Sequence, residues 1–380
     1  MIDARAASPA GMRPLRVVMA SDWHAKYMTP LARGMAEHGA AVKVLTRDHD
    51  LEFGGETGVR VEPGTMARWV AGELGGLGEH LQLSGRVREV RALPAVWRIR
   101  RQVRRPKPDV VHFQDSAAQD VRLLYASGAA PHRYAVTVHD VVQHPGDQVR
   151  GPRTAWVRER LIANAGLLFV HSEGLRNALI EKERPSAPIV VIPHGMPTTP
   201  ALPLPDGPSL LFFGRISRYK GIDVLLEAMR LLWHRIPDAR LVIAGGGDLP
   251  GHELLLDPRV TVRNEHVPET DVAPMFAAAR CVVLPYVEAS QSGVGARAKG
   301  FGRPLVVTRV GALPELVSDG SGRVVDSGDA DALADSLYEV LATPDLAERM
   351  GATAHVSAAE TSWTRVGALT LHAYRRHLLR

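Results

Sequence analysis

The sequence is poor in cysteine and in long apolar runs, and each shortage excludes a class of protein. Cys281 is the only cysteine among 380 residues, so no intrachain disulfide can form, which fits a reducing compartment. No apolar run reaches the roughly 18 residues of a membrane-spanning helix. The first residues lack the apolar segment of a secretory signal. We therefore expect a cytoplasmic protein that begins with a disordered lead at residues 1–13.

Lysine is also scarce, since only six of the 46 basic residues are lysines. The net charge of +5 and the isoelectric point near 9.5 would suit a nucleic acid or an anionic membrane as a partner. The sequence contains no helix-turn-helix, zinc-finger or RNP pattern, so we expect no nucleic-acid partner. Hydrophobic residues make up 45% of the chain, and this share and length together predict two domains with substantial cores.

A dinucleotide-binding fingerprint is missing as well. The first predicted strand, at residues 15–20, is followed by Asp22, Trp23 and His24 and not by G-x-G-x-x-G. A helix ending at Gly39 and a second strand at 41–46 come next. This βαβ beginning predicts a doubly wound α/β sheet.

An apolar run at residues 210–213 ends at Gly214 and is followed by Arg215 and Lys220. The run suits a buried parallel strand, and the helical spacing of the apolar residues from Ile222 onward predicts a helix after it. A loop at the carboxyl end of a parallel strand is where an open α/β sheet binds its ligand. Two cations beside a helix N-terminus favour a phosphate there, while two solvated surface charges are the alternative.

A second buried strand, at residues 281–284, leads into a loop that contains Glu288. Ser292, Gly293 and Val294 then begin a helix. Backbone amides at a helix start bind anions, and a glycine lets the backbone approach a ligand closely. This segment therefore adds donors to the predicted phosphate site.

Four patterns follow one another over residues 210–341, namely GR-x4-KG, P-x2-E-x3-SGV, G-x-P-LVVT and G-x-LPE. In this order they closely resemble the donor half of the retaining glycosyltransferases of family 4. The resemblance implies the GT-B architecture, in which two Rossmann-like, doubly wound α/β domains face each other across a cleft. The implied divisions are an acceptor domain at 14–195, a proline-rich linker at 196–208, a sugar-nucleotide domain at 209–360, and a last helix at 361–380 that crosses back.

The resemblance also implies a site for a nucleoside-diphosphate sugar. Arg215 and Lys220 would stabilise the charge that grows on the leaving diphosphate, Glu288 would face the sugar hydroxyls, and His139 would lie near the anomeric carbon or the acceptor. These four are the predicted catalytic residues. The predicted donor-binding residues are Gly214, Arg215, Lys220, Gly246, His266, Val267, Glu288, Ser292, Gly293 and Val294. The predicted acceptor-side residues are Asp22, Trp23, His24 and His139.

The histidines do not predict a metal site. His139 and His144 lack the H-E-x-x-H spacing, no cysteine assists them, and neither donor loop contains D-x-D. Two further histidines that follow strands, His171 and His194, are interpreted as groups that position loops. We expect a reaction that needs neither a metal nor a cofactor beyond the sugar nucleotide.

The segment at residues 93–105 combines an apolar stripe with several arginines. It has two interpretations, a surface for peripheral contact with an anionic membrane and an ordinary helix with solvated arginines, and the second is favoured.

The predicted function is retaining transfer of a sugar, with a UDP-sugar favoured as donor, to a hydroxyl of a saccharide, lipid-linked or natural-product acceptor. Two alternatives stay open, a GT-B sugar-nucleotide epimerase and a non-catalytic sugar-nucleotide-binding subunit.

One position departs from the pattern of the family. Family 4 enzymes carry E-x7-E, and the second glutamate accepts hydrogen bonds from the ribose. Eight residues after Glu288 stands Ala296, which has no acceptor. We therefore predict that backbone groups hold the ribose, or that nothing does.

Overall fold

The structure is a computed structural model that describes residues 13–21, 24–46, 68–69, 101, 104, 107–114, 130, 132–141, 152–196 and 199–379. The described residues form two compact units. The first holds residues 13–141 and 152–195, with the gaps just given, together with 363–379, and the second holds Met196–Ser362. Asp22, Trp23, His144 and the basic segment 93–105, apart from Arg101 and Arg104, lie outside the described residues.

The described part of the first unit contains a parallel sheet in the order β3-β2-β1-β4-β5-β6-β7. Its strands β4, β5 and β6 are buried along their whole length, as expected where a sheet is covered on both faces. Its elements are β1 (Arg16–Ser21), α1 (Ala25–Glu37), β2 (Ala41–Thr46), β3 (Arg68–Trp69), β4 (Val110–Gln114), β5 (Tyr134–Thr137), α2 (Pro152–Ala163), β6 (Leu167–Val170), α3 (Glu173–Glu183) and β7 (Ile189–Val191).

The second unit contains a parallel sheet in the order β10-β9-β8-β11-β12-β13, the classic strand order of a dinucleotide-type doubly wound fold. The prediction of two Rossmann-like α/β domains is therefore confirmed. Its elements are β8 (Ser209–Phe213), α4 (Ile222–Leu232), β9 (Arg240–Ala244), β10 (Val260–Arg263), α5 (Glu269–Ala277), β11 (Cys281–Leu284), α6 (Gly293–Gly300), β12 (Leu305–Thr308), α7 (Leu313–Leu316), β13 (Gly322–Val325), α8 (Ala330–Ala342) and α9 (Pro344–Glu360).

The last helix, α10 (Trp363–His377), belongs to the first unit and packs on α1. Buried Tyr374 of α10 lies within hydrogen-bonding distance of His112 on β4, with 2.6 Å between its hydroxyl and Nδ1. The other ring nitrogen of His112 lies 2.7 Å from Thr137 Oγ1. This chain of buried polar contacts fixes the helix against the sheet, because breaking it would leave polar groups without partners in the core.

The segment predicted as a linker is attached to the second unit. The buried guanidinium of Arg303 donates to the carbonyls of Leu202 and Pro203, and Arg280 donates to the carbonyl of Pro205 over 2.8 Å. Burial lowers the pKa of Arg303 to about 10. From Thr199 onward the segment therefore packs as part of this unit.

Among the helices that the structure describes, none is both long enough and apolar enough to cross a bilayer.

Candidate active site

The predicted donor residues lie at one edge of the second sheet. The strand order reverses between β8 and β11, which are neighbours although two α-helices and two strands separate them in the chain. Arg215 and Lys220 lie in the loop after β8, and Glu288 and Ser292 lie in the loop after β11. Such a reversal opens a crevice at the carboxyl ends of the strands, where ligands of this fold class bind.

Backbone contacts hold these two loops together. The amide of Val287 donates to the carbonyl of Tyr219 over 2.8 Å. Gly221 has a φ of 67°, and any side chain there would collide with the carbonyl of Pro285. Only glycine fits both demands, and the close approach brings Lys220 beside the loop after β11.

Two tyrosines surround the cations. The Nζ atom of Lys220 lies 3.5 Å from the ring centroid of Tyr286 and 4.9 Å from that of Tyr219. An Arg215 nitrogen donates to the hydroxyl of Tyr219 over 3.1 Å. Lys220 is half-buried and Arg215 is exposed, so both charges remain close to the surface at this edge.

The loop after β9 closes the other side of this edge. Gly245 has a φ of 143°, and a side chain there would collide with the carbonyl of Gly214. The amide of Ile216 donates to the carbonyl of Gly246 over 3.0 Å. The glycine triplet therefore lets the loops after β8 and β9 run against each other.

Two more of the predicted donor-binding residues, His266 and Val267, follow β10, and a third, Gly246, follows β9. Gly246 lies beside the main chain of His266, whose nitrogen is 3.7 Å from the position that a Cβ at Gly246 would occupy. The side chain of His266 is exposed, and Val267 packs into the core of the unit. These three residues thus lie together at the carboxyl end of β10.

Helix α6 begins at the same edge. Ser292 is its N-cap, and the Oγ atom of Ser292 accepts a hydrogen bond from the Gly295 amide over 3.2 Å. The amide groups of the first turn, those of Gly293 and Val294 included, point out of a helix N-terminus and suit an anion.

Ala296, where the second glutamate of the family pattern would stand, lies in α6. Ala296 is buried and packs in a small apolar cluster with Met196 and Ala358, so its side chain faces the interior of the unit. Counting residues from Glu288 does not indicate this burial, because the helical phase of α6 and not the spacing decides which face a side chain takes. The next residue, Arg297, pairs with Glu269 over 2.9 Å.

A different group of side chains lies at the carboxyl edge of the first sheet. Their rings stack and cross, with 4.1 Å between the centroids of His24 and His139 and 4.9 to 5.4 Å between Tyr27 and three of the histidines. The group, called the histidine cluster below, consists of His24, Tyr27, His139, His171 and His194. These residues follow β1, β5, β6 and β7, and parallel strands bring such positions to one edge.

Hydrogen bonds orient the cluster. The Nε2 atom of His139 lies 2.8 Å from Oε1 of the buried Gln114 at the end of β4. In this amide orientation Nε2 is the donor, so the Nδ1 atom of the neutral ring is an acceptor. His171 and His194 each donate from Nδ1 to a backbone carbonyl, over 3.1 and 3.0 Å.

Burial keeps three of these histidines, His139, His171 and His194, neutral at physiological pH. It lowers the pKa of His171 to about 3 and the pKa of His194 to about 4. Burial also lowers the pKa of His139 well below its usual value, and the surrounding histidines lower it further. Neutral imidazoles accept and donate hydrogen bonds, so this edge can bind hydroxyl groups.

The structure thus groups the predicted residues in two sets, the donor residues in the second unit and His139 with His24 in the first. In the described part of the chain, no three histidine, cysteine, aspartate or glutamate side chains are arranged to hold a metal ion. Sequence reasoning missed Tyr219, Tyr286 and Tyr27. Tyrosines next to a lysine or beyond a strand were the available signal, but such neighbours are common and indicate no contact by themselves.

Comparison with known families gives the same division. The profile described as "Glycosyl transferase 4-like domain" matches residues 24–195, and the profile described as "Glycosyl transferases group 1" matches residues 207–343. Both profiles describe glycosyltransferase domains, and each matches less than half of the chain. The two matches lie in the first and second units, respectively.

Curated proteins with related sequences include two enzymes that share one name. D-inositol 3-phosphate glycosyltransferase of Pseudarthrobacter chlorophenolicus is 35% identical over 175 residues, which cover 43% of this chain and 42% of the relative. The enzyme of the same name from Thermobifida fusca is 28% identical over 92% of this chain and 87% of its own length. The first of these matches thus spans less than half of the relative.

Solved structures share the fold over nearly the whole chain. Sucrose-phosphate synthase of Thermosynechococcus elongatus has a TM-score of 0.73 at 21% identity, covering 95% of this chain and 98% of that one. The Anabaena protein HepE in complex with UDP-glucose has a TM-score of 0.68 at 14% identity, covering 95% of this chain and all of its own. At these identities the likeness concerns the fold alone.

Proposed function

We propose that this protein is a glycosyltransferase that moves a sugar from a nucleoside-diphosphate sugar to a hydroxyl group, with retention of the anomeric configuration. UDP-sugars are the favoured donors, and the acceptor is a saccharide, a lipid-linked sugar or a natural product. The observation that carries the proposal is the meeting of Arg215, Lys220, Glu288 and the start of α6 at the switch point of the second sheet.

The leaving group explains the need for these residues. When the bond from the anomeric carbon to the diphosphate breaks, negative charge grows on the outer phosphate. Arg215 offers a planar fork that suits two phosphate oxygens, and Lys220 offers a compact charge. The amides of Gly293 and Val294 add donors that need no counter-ion.

Glu288 and His139 take the remaining roles in the proposal. Glu288 lies four residues beyond β11 and accepts hydrogen bonds from the hydroxyls of the donor sugar. His139, held neutral by burial and oriented by Gln114, accepts a hydrogen bond from a hydroxyl of the donor sugar or of the acceptor. The two cations supply the positive charge that a metal provides in other transferases, so we propose a reaction that needs no added metal.

Retention and UDP rest on similarity. The four donor motifs resemble retaining enzymes of family 4, and a structural neighbour is solved with UDP-glucose. Relatives carry the name D-inositol 3-phosphate glycosyltransferase, so polyol phosphates and sugar phosphates are the first acceptors to try.

The test begins with binding. Thermal shift of the purified protein with UDP-, GDP-, ADP- and dTDP-sugars selects the donor, and release of nucleoside diphosphate is then followed with and without acceptors, in EDTA and in added Mg²⁺. We expect release that depends on an acceptor, is equal in EDTA, and gives a product whose anomeric proton coupling matches that of the donor.

The alternative functions give different results in the same experiment. Conversion of the nucleotide sugar with no acceptor present would identify an epimerase. Tight binding without turnover across the acceptor panel would identify a binding subunit. Failure of every nucleotide sugar to bind would contradict all three functions.

A further inference from the structure

We infer that Tyr286 and Tyr219 are positioning residues, which hold the two cations at the places where they meet the outer phosphate of the donor. The inference rests on the proposed function, because it assigns the diphosphate to Arg215 and Lys220. It adds an aromatic seat to that site, defined as the rings of Tyr286 and Tyr219 together with the two cations that contact them.

Tyr286 is a rigid part of the seat. The residue is completely buried directly after β11, and its carbonyl accepts a hydrogen bond of 2.5 Å from Thr308 Oγ1 at the end of β12. Its hydroxyl lies 3.4 Å from Ser292 Oγ, the N-cap atom of α6. The ring is thus anchored to two strands and a helix start, and it cannot follow a moving lysine.

The ring face of Tyr286 fixes the lysine ammonium. At 3.5 Å from the ring centroid, Lys220 Nζ lies well inside the distance at which a cation is attracted to an aromatic face. A lysine side chain otherwise loses much rotamer freedom when it binds. An ammonium that is already held in place loses less conformational entropy when the ligand binds.

Tyr219 contacts both cations. Its ring lies beside Lys220, and its hydroxyl accepts a hydrogen bond from Arg215. Its carbonyl accepts from Val287, so the residue is also fixed to the loop after β11. Tyr219 therefore sets the spacing between two like charges that would otherwise repel each other.

The seat predicts an effect that depends on the outer phosphate. A nucleoside monophosphate lacks this phosphate, so UMP binding should not depend on the seat, while UDP binding should. A merely structural role of the tyrosines would weaken the binding of both nucleotides equally. The ratio of the two affinities therefore separates positioning from folding.

The experiment measures UDP and UMP binding by titration calorimetry for the wild type and for Tyr286→Phe, Tyr286→Leu and Tyr219→Leu. The two leucine variants should each lose about tenfold in UDP affinity, the amount expected from a partly desolvated cation–π contact. Their UMP affinity should stay within about twofold of the wild type, as in any site where the removed contact serves only the outer phosphate. Tyr286→Phe keeps the ring face and should bind both nucleotides nearly as the wild type does.

A double-mutant cycle links the effect to the lysine. In a Lys220→Met background, Tyr286→Leu should cost no further UDP affinity, since the ring then has no cation to hold. Should Tyr286→Leu fail to fold, the half-buried Tyr219 carries the comparison of UDP with UMP through Tyr219→Leu.

Two outcomes overturn the inference and stay distinct from failure of the proposed function. Equal losses for UDP and UMP, or full additivity in the cycle, would show that the tyrosines only support the fold. If the wild type binds no nucleoside diphosphate at all, the proposed function fails and the seat fails with it.

Discussion

The first six described strands of the two sheets follow the same order, but the side chains at the carboxyl edges of the sheets differ in charge and burial. In the second unit the edge carries Arg215 and Lys220, near the surface and flanked by glycines that let the loops approach each other. In the first unit the edge carries the histidine cluster, in which burial keeps His139, His171 and His194 neutral. The fold therefore determines where a ligand binds, and the loop residues determine which charge it meets.

The difference has a physical cause in burial. Cations that stay close to water keep their charge without a large desolvation penalty, and they can then meet an anion. Imidazoles that are buried together favour the neutral form, because burial and the neighbouring rings both disfavour the charged form. In the proposed function the edge of the second sheet binds the anionic leaving group and the edge of the first binds neutral hydroxyls. Substitutions at either edge can test this division.

Removing a cation from the second unit should give the largest effect. Lys220→Ala and Arg215→Ala should each lower turnover about ten- to a hundredfold, because each removes a charge-assisted contact of roughly 1.5–3 kcal/mol. Initial rates with the selected donor measure this effect.

The matched control is Arg240→Ala, which removes an exposed arginine at the amino end of β9. It should keep the rate of the wild type, and all three variants should melt at nearly the wild-type temperature. Near-normal rates for both loop variants would mean that the phosphate assignment is wrong.

A fall in pH should destabilise the first unit more than the second. The pKa of His171 is about 3 and that of His194 about 4 in the folded protein, against about 6.5 when unfolded, so below pH 6.5 the unfolded chain binds more protons. This stability is fully present above about pH 7 and is lost as the pH falls toward 4. At pH 5 the loss is on the order of 2 kcal/mol for each histidine.

Hydrogen exchange read by mass spectrometry at pH 7.5 and pH 5 can locate the loss. Peptides of β5, β6 and β7 should lose protection at pH 5 more than those of β11 and β12. His171→Gln should reduce the pH dependence, whereas the exposed His234→Gln should leave it unchanged. Equal acid sensitivity of both sheets would contradict the burial argument.

His139→Gln should have a smaller effect than loss of a cation. The variant keeps a neutral side chain but lacks the ring nitrogens, and one neutral hydrogen bond contributes about 0.5–1.5 kcal/mol. We expect kcat to fall by up to about tenfold while UDP affinity stays unchanged, because UDP contacts the other unit in the proposal. A loss of UDP affinity equal to the loss of kcat would contradict the assignment of UDP to the second unit alone.

The ribose should matter least. A 2′-deoxy donor should be used nearly as well as its ribose counterpart, since Ala296 is buried and offers no acceptor. Relative kcat/KM values measure this. A preference beyond about a hundredfold, which exceeds one neutral hydrogen bond, would mean that another residue binds the ribose hydroxyls.

What the sequence predicts well is local. The apolar run before Gly214 ends where β8 ends, and the run at 281–284 is β11, so the loops that hold Arg215 and Glu288 were placed by pattern alone. The order of the motifs also indicated two doubly wound domains. These features depend on residues close to each other in the chain.

What the sequence does not predict depends on contacts between distant segments. Lys220 and Tyr286 meet because β8 and β11 are neighbours, and no spacing in the chain reveals this. His171 and His194 were each assigned to a loop, but only the order of β5, β6 and β7 gathers them into a cluster. The burial of Ala296 against Met196 and Ala358 likewise depends on contacts with distant segments.

The attachment of the proline-rich segment bears on how the second unit can be isolated. Prolines offer carbonyls but no amide hydrogens, so the guanidinium groups of Arg303 and Arg280 serve as their partners. A fragment that begins at Ser209 would leave Arg303 with only the carbonyls of Phe301 and Ala279 as acceptors, and it would expose the apolar surface that Leu202 and Leu204 cover. A fragment that spans Met196–Ser362 keeps those partners, and it should resist proteases where the shorter one is digested.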